Sequence, residues 1–577
     1  MTSGLIDESV DRSRAQYLGD PITREVVRNS LNSLANEMAV VVVRTAHSQI
    51  VRDSMDFSTA IFDADGRVIA QGLAIPLHLG AMPDAIAELQ RRYLGNIAPG
   101  DVFILNDPDE GGMHLPDIFL YQPLFHEGRV FAWVACVAHH ADVGGRVAGS
   151  NAVDSTEIYQ EGLQIPILKY YEQGVLNSTL AAIIAKNVRL PGIVRGDIGA
   201  QMSALAAGER GLRKLIREYD GATLRTIFDE ILSYTEVRVR SEISSIPDGR
   251  YTFEDYIDDD GFGSDTITIR VTVTIEGDRM SVDFAGTSPQ VRSALNATTS
   301  FTKAAVYTAF LCAASSNDAL SNDGLYRAID ITVPSGTILN PRRPAPRAAR
   351  GLTGYRVIDA VMGALHQAIP ERTLAAGEGG ATMISLGMVD EDGTSHVLVD
   401  FVCGGWGARS HSDGLDGASS IGANLANVPV EQIELEYPVM VEEYGFIPDS
   451  AGPGKYRGCL ATVRQLRFLG DSAVLAIRSD RRDHPPYGLA GGKAGDPSLN
   501  VLNPGTEHEE VLPTKVTRTI CYGDVIRHQT AGGGGYGPPL ERSIDALGRD
   551  VTDQKLTALH IAEHYPGHQV DGAESRR

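Results

Sequence analysis

The 577-residue sequence is short of positive charge: 51 Lys and Arg stand against 74 Asp and Glu, a formal net charge of −23. A chain this acidic repels phosphate backbones and anionic membranes over most of its surface, which argues against nucleic acid as a partner. Long apolar runs are also missing. Near the N-terminus the longest, Met38 to Val43, spans six residues before Arg44 closes it, far short of the ~20 residues a membrane span needs. The first thirty residues are polar and charged with no apolar h-region, so no secretory signal is expected. Cysteine is scarce: Cys136, Cys312, Cys403, Cys459 and Cys521 are odd in number, widely spread and without a CxxC pair. That pattern fits a reduced, cytoplasmic compartment better than a disulfide framework. No GxxxxGK[ST] segment is present to cradle a phosphate, and no GxSxG elbow to present a serine nucleophile.

What is abundant is glycine, with 61 residues, which favours turns and close backbone contacts over long helices. The length exceeds one ordinary core and suggests several domains. A helix is predicted from Pro21 to about Ala46, because Val27, Leu31, Leu34, Met38 and Val42 recur at helical spacing. Short strands follow at Thr59–Phe62 and Val68–Ala70 around a turn at residues 63–66, then at Asp101–Leu105. A second hairpin is expected at Ile118–Phe125 and Val130–Ala138. The texture changes near residue 246, where Ile267 to Ile275 alternates strictly and turns back into Met280–Phe284. Helices are expected at Lys303–Ala314 and Tyr355–Ala368, with the Pro- and Arg-rich residues 341–350 as a linker. The expected architecture is α+β, multi-domain, with mixed and antiparallel sheets and flanking helices. Residues 1–245 would form one domain, 246–345 a hairpin-rich middle region, and 346–577 a glycine-rich C-terminal domain.

Four segments concentrate ionisable side chains: residues 53–58, Asn106-Asp107-Pro108, His114-Leu115-Pro116-Asp117 and His139-His140-Ala141-Asp142. Imidazole nitrogens with carboxylate oxygens suit zinc, manganese or iron. His114 and Asp117 flank Pro116 on a stiff extended turn, where both can converge on one ion. His139 emerges at the end of an apolar strand, and Asp142 could orient an imidazole. Turn carboxylates and satisfied strand-end histidines would look the same, so spacing leaves both readings open. Three further signals read as structural. Gly532 to Gly537 runs into Pro538-Pro539, which suits a turn and not a dinucleotide helix. His560-Ile561-Ala562-Glu563-His564 matches HxxEH but reads as a surface helix. Asp480 to His484 reads as a solvated charge run, with binding of a phosphorylated or carboxylated ligand as the alternative.

Longer matches carry more. Asn106-Asp107-Pro108 with Gly111-Gly112-Met113-His114-Leu115-Pro116-Asp117, and His139-His140-Ala141-Asp142-Val143-Gly144-Gly145, resemble segments of the hydantoinase B and oxoprolinase family. Ile75-Pro76-Leu77-His78-Leu79-Gly80, Glu161-Gly162-Leu163, Asn187-Val188-Arg189, Gly196 to Gln201, Asn427 to Glu431, Asp449 to Gly454 and Gly532 to Gly537 fit it as well, in order along the chain. The resemblance implies a metal site of Asp53, His114, Asp117 and His139. It departs at Asp53-Ser54-Met55-Asp56-Phe57-Ser58, where the family often has Glu-Arg-x-Asp-Phe-Ser. Asp56 is therefore the substitute for Asp53, and His140 for His139. Asp56, Asp107, His140 and Asp142 are the acid/base or ligand-orienting candidates, and no cofactor-binding segment is assigned.

The resemblance further implies the B-type (β) subunit of an ATP-dependent cyclic-amide hydrolase: a hydantoinase, oxoprolinase or lactamase. An A-type subunit would bind ATP and magnesium and activate the ring amide, and water on the zinc, manganese or iron of this chain would attack it. The enzyme would be a cytoplasmic hetero-oligomer acting on a small cyclic amide, with neither nucleic acid nor membrane as a partner. Alternatives are a subunit of an acetone- or acetophenone-type ketone carboxylase, and a non-catalytic scaffold for the ATPase subunit.

Overall fold

The helix expected from Pro21 opens the computed structural model, which describes residues 20–72, 75–315, 321–380, 382–390 and 392–567. Most of the polar leader, residues 1–19, lies outside the described residues. Helix α1, Pro21–Thr45, starts where the Asp20 carboxylate accepts from the amides of Ile22 and Thr23, a capping arrangement that satisfies two of the helix's orphan donors. Its face of Val27, Leu31, Leu34, Met38 and Val42 is buried as the periodicity requires.

Next come β1 (Phe57–Asp63), β2 (Val68–Gln71), β3 (Val102–Leu105), β4 (Asp117–His126), β5 (Arg129–His139), β6 (Leu168–Glu172) and β7 (Val175–Leu176). They form an antiparallel sheet in the order β2-β1-β5-β4-β3-β6-β7. Both expected hairpins are present within it. The sheet is covered on both faces, and strand alternation divides its side chains between two cores. Phe119, Tyr121, Trp133, Ala135 and Val137 enter one core. Ile118, Leu120, Val134, Cys136 and Ala138 enter the other, beneath α1 and helix α2 (Pro191–Tyr219), with helix α3 (Gly221–Ser244) following.

The first of these cores also takes in a second sheet, β8 (Gly249–Ile257), β9 (Ile267–Glu276), β10 (Arg279–Asp283) and β11 (Ile329–Thr332). Helices α4 (Thr299–Ala313) and α5 (Arg350–His366) pack with it. The C-terminal part comprises β12 (Thr382–Val389), β13 (Ser395–Val402), β14 (Val439–Ile447), β15 (Ala461–Phe468) and β16 (Ser472–Arg478). It continues with β17 (Leu499–Leu502), β18 (Glu510–Leu512), β19 (Lys515–Cys521) and β20 (Val525–Gln529). Two sheets result, β13-β12-β16-β19 and β14-β15-β20-β17-β18. Mixed α and β structure is thus as expected.

One expectation about organisation gives way. Residues 341–350 are not an exposed linker: Ala345, Arg347, Ala348, Ala349 and Arg350 are buried, and the arginines are tolerated there because carboxylates pair with them. One core cluster takes in residues from Ala60 to Leu374. The glycine-rich segment is structural, as expected. A Cβ at Gly458 would lie 1.8 Å from the Gly533 carbonyl oxygen, so the backbones there approach too closely for any side chain.

Candidate metal centre

Strand register builds the site. Phe57 of β1 pairs with Ala138 of β5, and Ala138 with Ile118 of β4. One residue earlier on β1 and β4, and one later on β5, stand Asp56, Asp117 and His139. They share a face, on neighbouring strands about 4.8 Å apart. Asp117 pairs directly with His139, and the His139 amide donates to the Asp56 carbonyl at 3.0 Å.

His114 comes from the loop before β4. Gly111 makes that loop possible: it sits at φ +96°, and a Cβ there would lie 2.4 Å from the Ala85 backbone. The His114 Nδ1 lies 3.0 Å from the Ala348 carbonyl oxygen. A carbonyl only accepts, so Nδ1 carries the proton and Nε2 carries the lone pair. Burial lowers this imidazole to about 4, leaving it neutral. Yet Nε2 faces the Asp117 Oδ1 at 3.1 Å. Two electron-rich atoms at that separation repel unless a cation lies between them. Donors each about 2.0–2.2 Å from one zinc sit roughly this far apart.

The neighbours tell the same story. Ligand atoms of His114, Asp117 and His139 all lie within 4.8 Å of one another. His114 Nε2, Asp117 Oδ1, both ring nitrogens of His139 and Asp56 Oδ1 are buried without a hydrogen-bond partner. Buried polar atoms are rarely left so, and a divalent ion would satisfy one His139 nitrogen and the other three atoms together. Burial raises Asp117, but the His114 imidazole and the Arg350 guanidinium outweigh it and hold its carboxyl well below the usual range. Asp56 is pushed up to about 8, first by burial and then by the adjacent Asp117 carboxylate.

The sequence reading missed His78. Its Nε2 lies 3.5 Å from Asp56 Oδ1 and 3.9 Å from Asp117 Oδ2. Its Nδ1 meets the Ser58 hydroxyl at 3.3 Å, and Ser58 in turn donates to the Ile75 carbonyl. Nδ1 is therefore the donor and Nε2 the acceptor. Arg350, which pairs with Asp117, and Arg478 were missed as well. Both line a cavity of about 40 Å³ with Asp56, His78, His114 and His139, walled by Phe301, Leu352 and Phe401.

The remaining candidates lie elsewhere. Asp53 caps the helical turn Gln49–Arg52 and pairs with Arg52 at 2.8 Å, outside the cluster. Asp107 accepts from the Asp109 amide and from Arg343. His140 follows His139 and so points to the opposite face, its Nε2 3.2 Å from Gln201 of α2. Asp142 orients no imidazole: it accepts from the amides of Gly144 and Arg189 and from the Arg189 guanidinium, tying two loops together. Residues 480–484 are only partly the solvated run expected, since Asp480 and Arg481 are buried. Asp480 pairs with Arg356 and Lys515, and Arg481 with Asp255 and Asp359. The HxxEH residues lie on Ala558–His564, and among the described residues they join no cluster of three metal donors.

The family model for hydantoinase B/oxoprolinase matches residues 20–539. The putative B-type chain of a D-/L-hydantoinase from Pseudomonas sp. (strain NS671) is 34% identical over 556 residues, 93% of each chain. The beta subunit of the caprolactamase from Pseudomonas jessenii is 32% identical over 96% of this chain and 97% of its own. The crystal structure of the ATP-dependent caprolactamase from that organism matches with a TM-score of 0.89 at 29% identity, over 96% of this chain and 98% of that one. An acetone carboxylase in its nucleotide-free structure matches with a TM-score of 0.87 over 95% of this chain and 79% of that one. Its identity is 19%, a likeness of fold alone. Among the described residues no helix is long and apolar enough to cross a membrane.

Proposed function

The chain belongs to the hydantoinase B/oxoprolinase family, and from that premise we propose that it is the metal-bearing B-type subunit of an ATP-dependent cyclic-amide hydrolase. The relatives named hydantoinase, caprolactamase and 5-oxoprolinase support ring-amide hydrolysis as the reaction class. Two of those names denote a subunit, which supports a partner. The observation that carries the reading is the set of buried donor atoms left without a bond at Asp56, His114, Asp117 and His139. Mixed nitrogen and oxygen donors of this kind would hold zinc, manganese or iron. Such an ion, when bound, supplies Lewis acidity and makes a water ionise near neutral pH.

The chain's own residues do the rest. The Ala348 carbonyl fixes the His114 tautomer, and Arg350 fixes the Asp117 carboxylate. His78, lowered to about 4 by burial, is neutral and turns its Nε2 lone pair toward the site, 3.5 Å from Asp56 Oδ1. Phe301, Leu352 and Phe401 limit the water that reaches the reacting carbon. An amide still needs activation, because its carbonyl is resonance-stabilised. With no phosphate-cradling segment in this sequence, ATP chemistry falls to an A-type partner.

Reconstitution with such a partner tests the proposal. ATP-dependent opening of a hydantoin, oxoproline or caprolactam ring is expected only with both chains present, and none with His114→Ala. Ring opening by the isolated chain, or full turnover by His114→Ala, would refute it. Ketone-stimulated bicarbonate fixation without ring opening would assign the site to carboxylation instead.

A further inference from the structure

The cavity at the candidate metal centre, about 40 Å³, takes roughly three water-sized groups at about 10–15 Å³ each. That is room for a reacting carbonyl and the water that attacks it, but not for a whole cyclic amide. The rest of the substrate must lie in a neighbouring space, and the fold provides one. Between the end of α4, residues 371–374 and the loop 406–424 runs a groove of about 780 Å³. Small ligands are held in clefts of about 300–1,000 Å³.

Two short segments form the partition between groove and cavity. Ile75 and Leu77 line the cavity, and Pro76 between them lines the groove. Leu425 lines the cavity, and Ile421, Ala423 and Asn424 line the groove. Gly422 brings the second segment against the cavity wall. A Cβ there would lie 3.1 Å from both Leu77 Cδ1 and Tyr355 Cε1, and both residues line the cavity. The two spaces are thus one side chain's thickness apart.

The walls of the groove select its occupant. Leu374, Trp406, Ile421 and Ala423 give it an apolar lining. Trp406 is held in place by its own neighbours: the indole Nε1 donates to the Ser419 carbonyl at 2.6 Å, and the Arg409 guanidinium lies 6.0 Å from the ring centroid. A fixed aromatic wall gives up little freedom on binding and pairs well with a second ring. Of the other charged residues along the groove, Arg372 faces Glu242 at 3.7 Å, and Glu371 and His411 are exposed at the rim. An unsubstituted hydantoin ring, small and polar, would leave most of this space unused.

We propose that the groove seats an extended aryl or other apolar substituent on the cyclic amide, so that the chain serves a ring-substituted substrate, with Trp406 and Ile421 setting the preference. This inference rests on the ring-opening reading above and names its substrate class.

The test titrates the full-length chain, loaded with zinc or manganese, with 5-benzylhydantoin, hydantoin and hydantoin-5-acetic acid by calorimetry. The benzyl compound should bind at least tenfold more tightly than either of the others, because it alone buries an aromatic ring. Trp406→Ala should remove most of that preference with the affinity for hydantoin unchanged, and Trp406→Phe should keep it. The comparison of ligands on the wild-type chain stands even where Trp406→Ala fails to fold. Fluorescence reads the location. The chain has two tryptophans and Trp133 is fully buried, so the benzyl ring should change the emission of wild type and not that of Trp406→Phe. Equal affinity for the three ligands, an unchanged preference in Trp406→Ala, or wild-type emission that does not respond would overturn the proposal. So would failure of 5-benzylhydantoin to bind, or its exclusion by an added A-type partner. Metal content, measured on the same samples, separates the two readings. A wild-type chain that holds no metal fails the earlier one, and the preference is then read by the same titration on the metal-free chain, because no groove residue belongs to the metal-donor cluster.

Discussion

Replacing each member of the His139-His140 pair in turn is the sharpest test of the register argument. The two imidazoles are adjacent in sequence, and strand alternation sends them to opposite faces. His139 shares its face with Asp56 and Asp117, whereas His140 meets Gln201 at 3.2 Å. Structural zinc sites bind with apparent free energies of about 10–16 kcal/mol. One donor in four is then worth about 2.5–4 kcal/mol, or two to three orders of magnitude in affinity at about 1.4 kcal/mol per decade. His139→Ala should lose that much. His140→Ala should keep wild-type metal affinity and instead lose about 1–3 kcal/mol of stability, because it strands the buried Gln201 oxygen. Competition for zinc against a chromophoric chelator reads the first quantity, and thermal unfolding followed by circular dichroism reads the second. Metal lost from His140→Ala and kept by His139→Ala would refute the register. Equal loss from both would mean that the β1-β5-β4 face does not define the site.

Asp53→Ala and Asp56→Ala repeat the contrast along the chain. Asp53 pairs with Arg52 near the surface, so its loss should leave the affinity unchanged, whereas Asp56→Ala should weaken metal binding by about the same factor as His139→Ala; the reverse order would restore Asp53 as the ligand. Stability should fall on acidification through His528, which burial, reinforced by the Arg464 guanidinium, lowers from 6.5 to about 3. Between those values the unfolded chain binds a proton that the folded chain does not, so stability drops as pH falls below 6.5, by about 2 kcal/mol at pH 5. His528→Gln, compared with wild type in urea at pH 7 and pH 5, should show a smaller loss. An equal pH dependence in the two would rule out His528 as its source.

The elements legible in the sequence are those whose signal is local. Helix α1 and the β4-β5 hairpin each declare themselves within about a dozen residues, because burial on one face imposes a period. The same locality hides a strand's facing. His139 and His140 cannot be told apart by composition, and the residue that occupies His140 is Gln201, on a helix beyond the whole of β6 and β7. Alignment with a family position favours Asp53. What places a donor at the site, however, is being the residue just before β1, and that residue is Asp56. His78 reaches Ser58 twenty residues away across a helical turn, with no spacing rule to announce it.

Buried charge is the least legible feature, for a definite reason. Arg and Asp are exposed by default, so Asp480-Arg481 looks solvated and residues 341–350 look like a linker. Partners far along the chain reverse both: Asp255 and Asp359 for Arg481, Asp109 for Arg347 and Asp117 for Arg350. The same partner logic separates structure from function. Arg478 and Arg481 are three residues apart, chemically identical and both buried. Arg481 is neutralised by two carboxylates from within the fold, so its charge is spent on holding β8 to α5. Arg478 donates to the Ala348 carbonyl and lines the cavity that holds the unbonded atoms of His114, His139 and Asp56, and the carboxylates of Asp56 and Asp117 attract it without a direct ion pair.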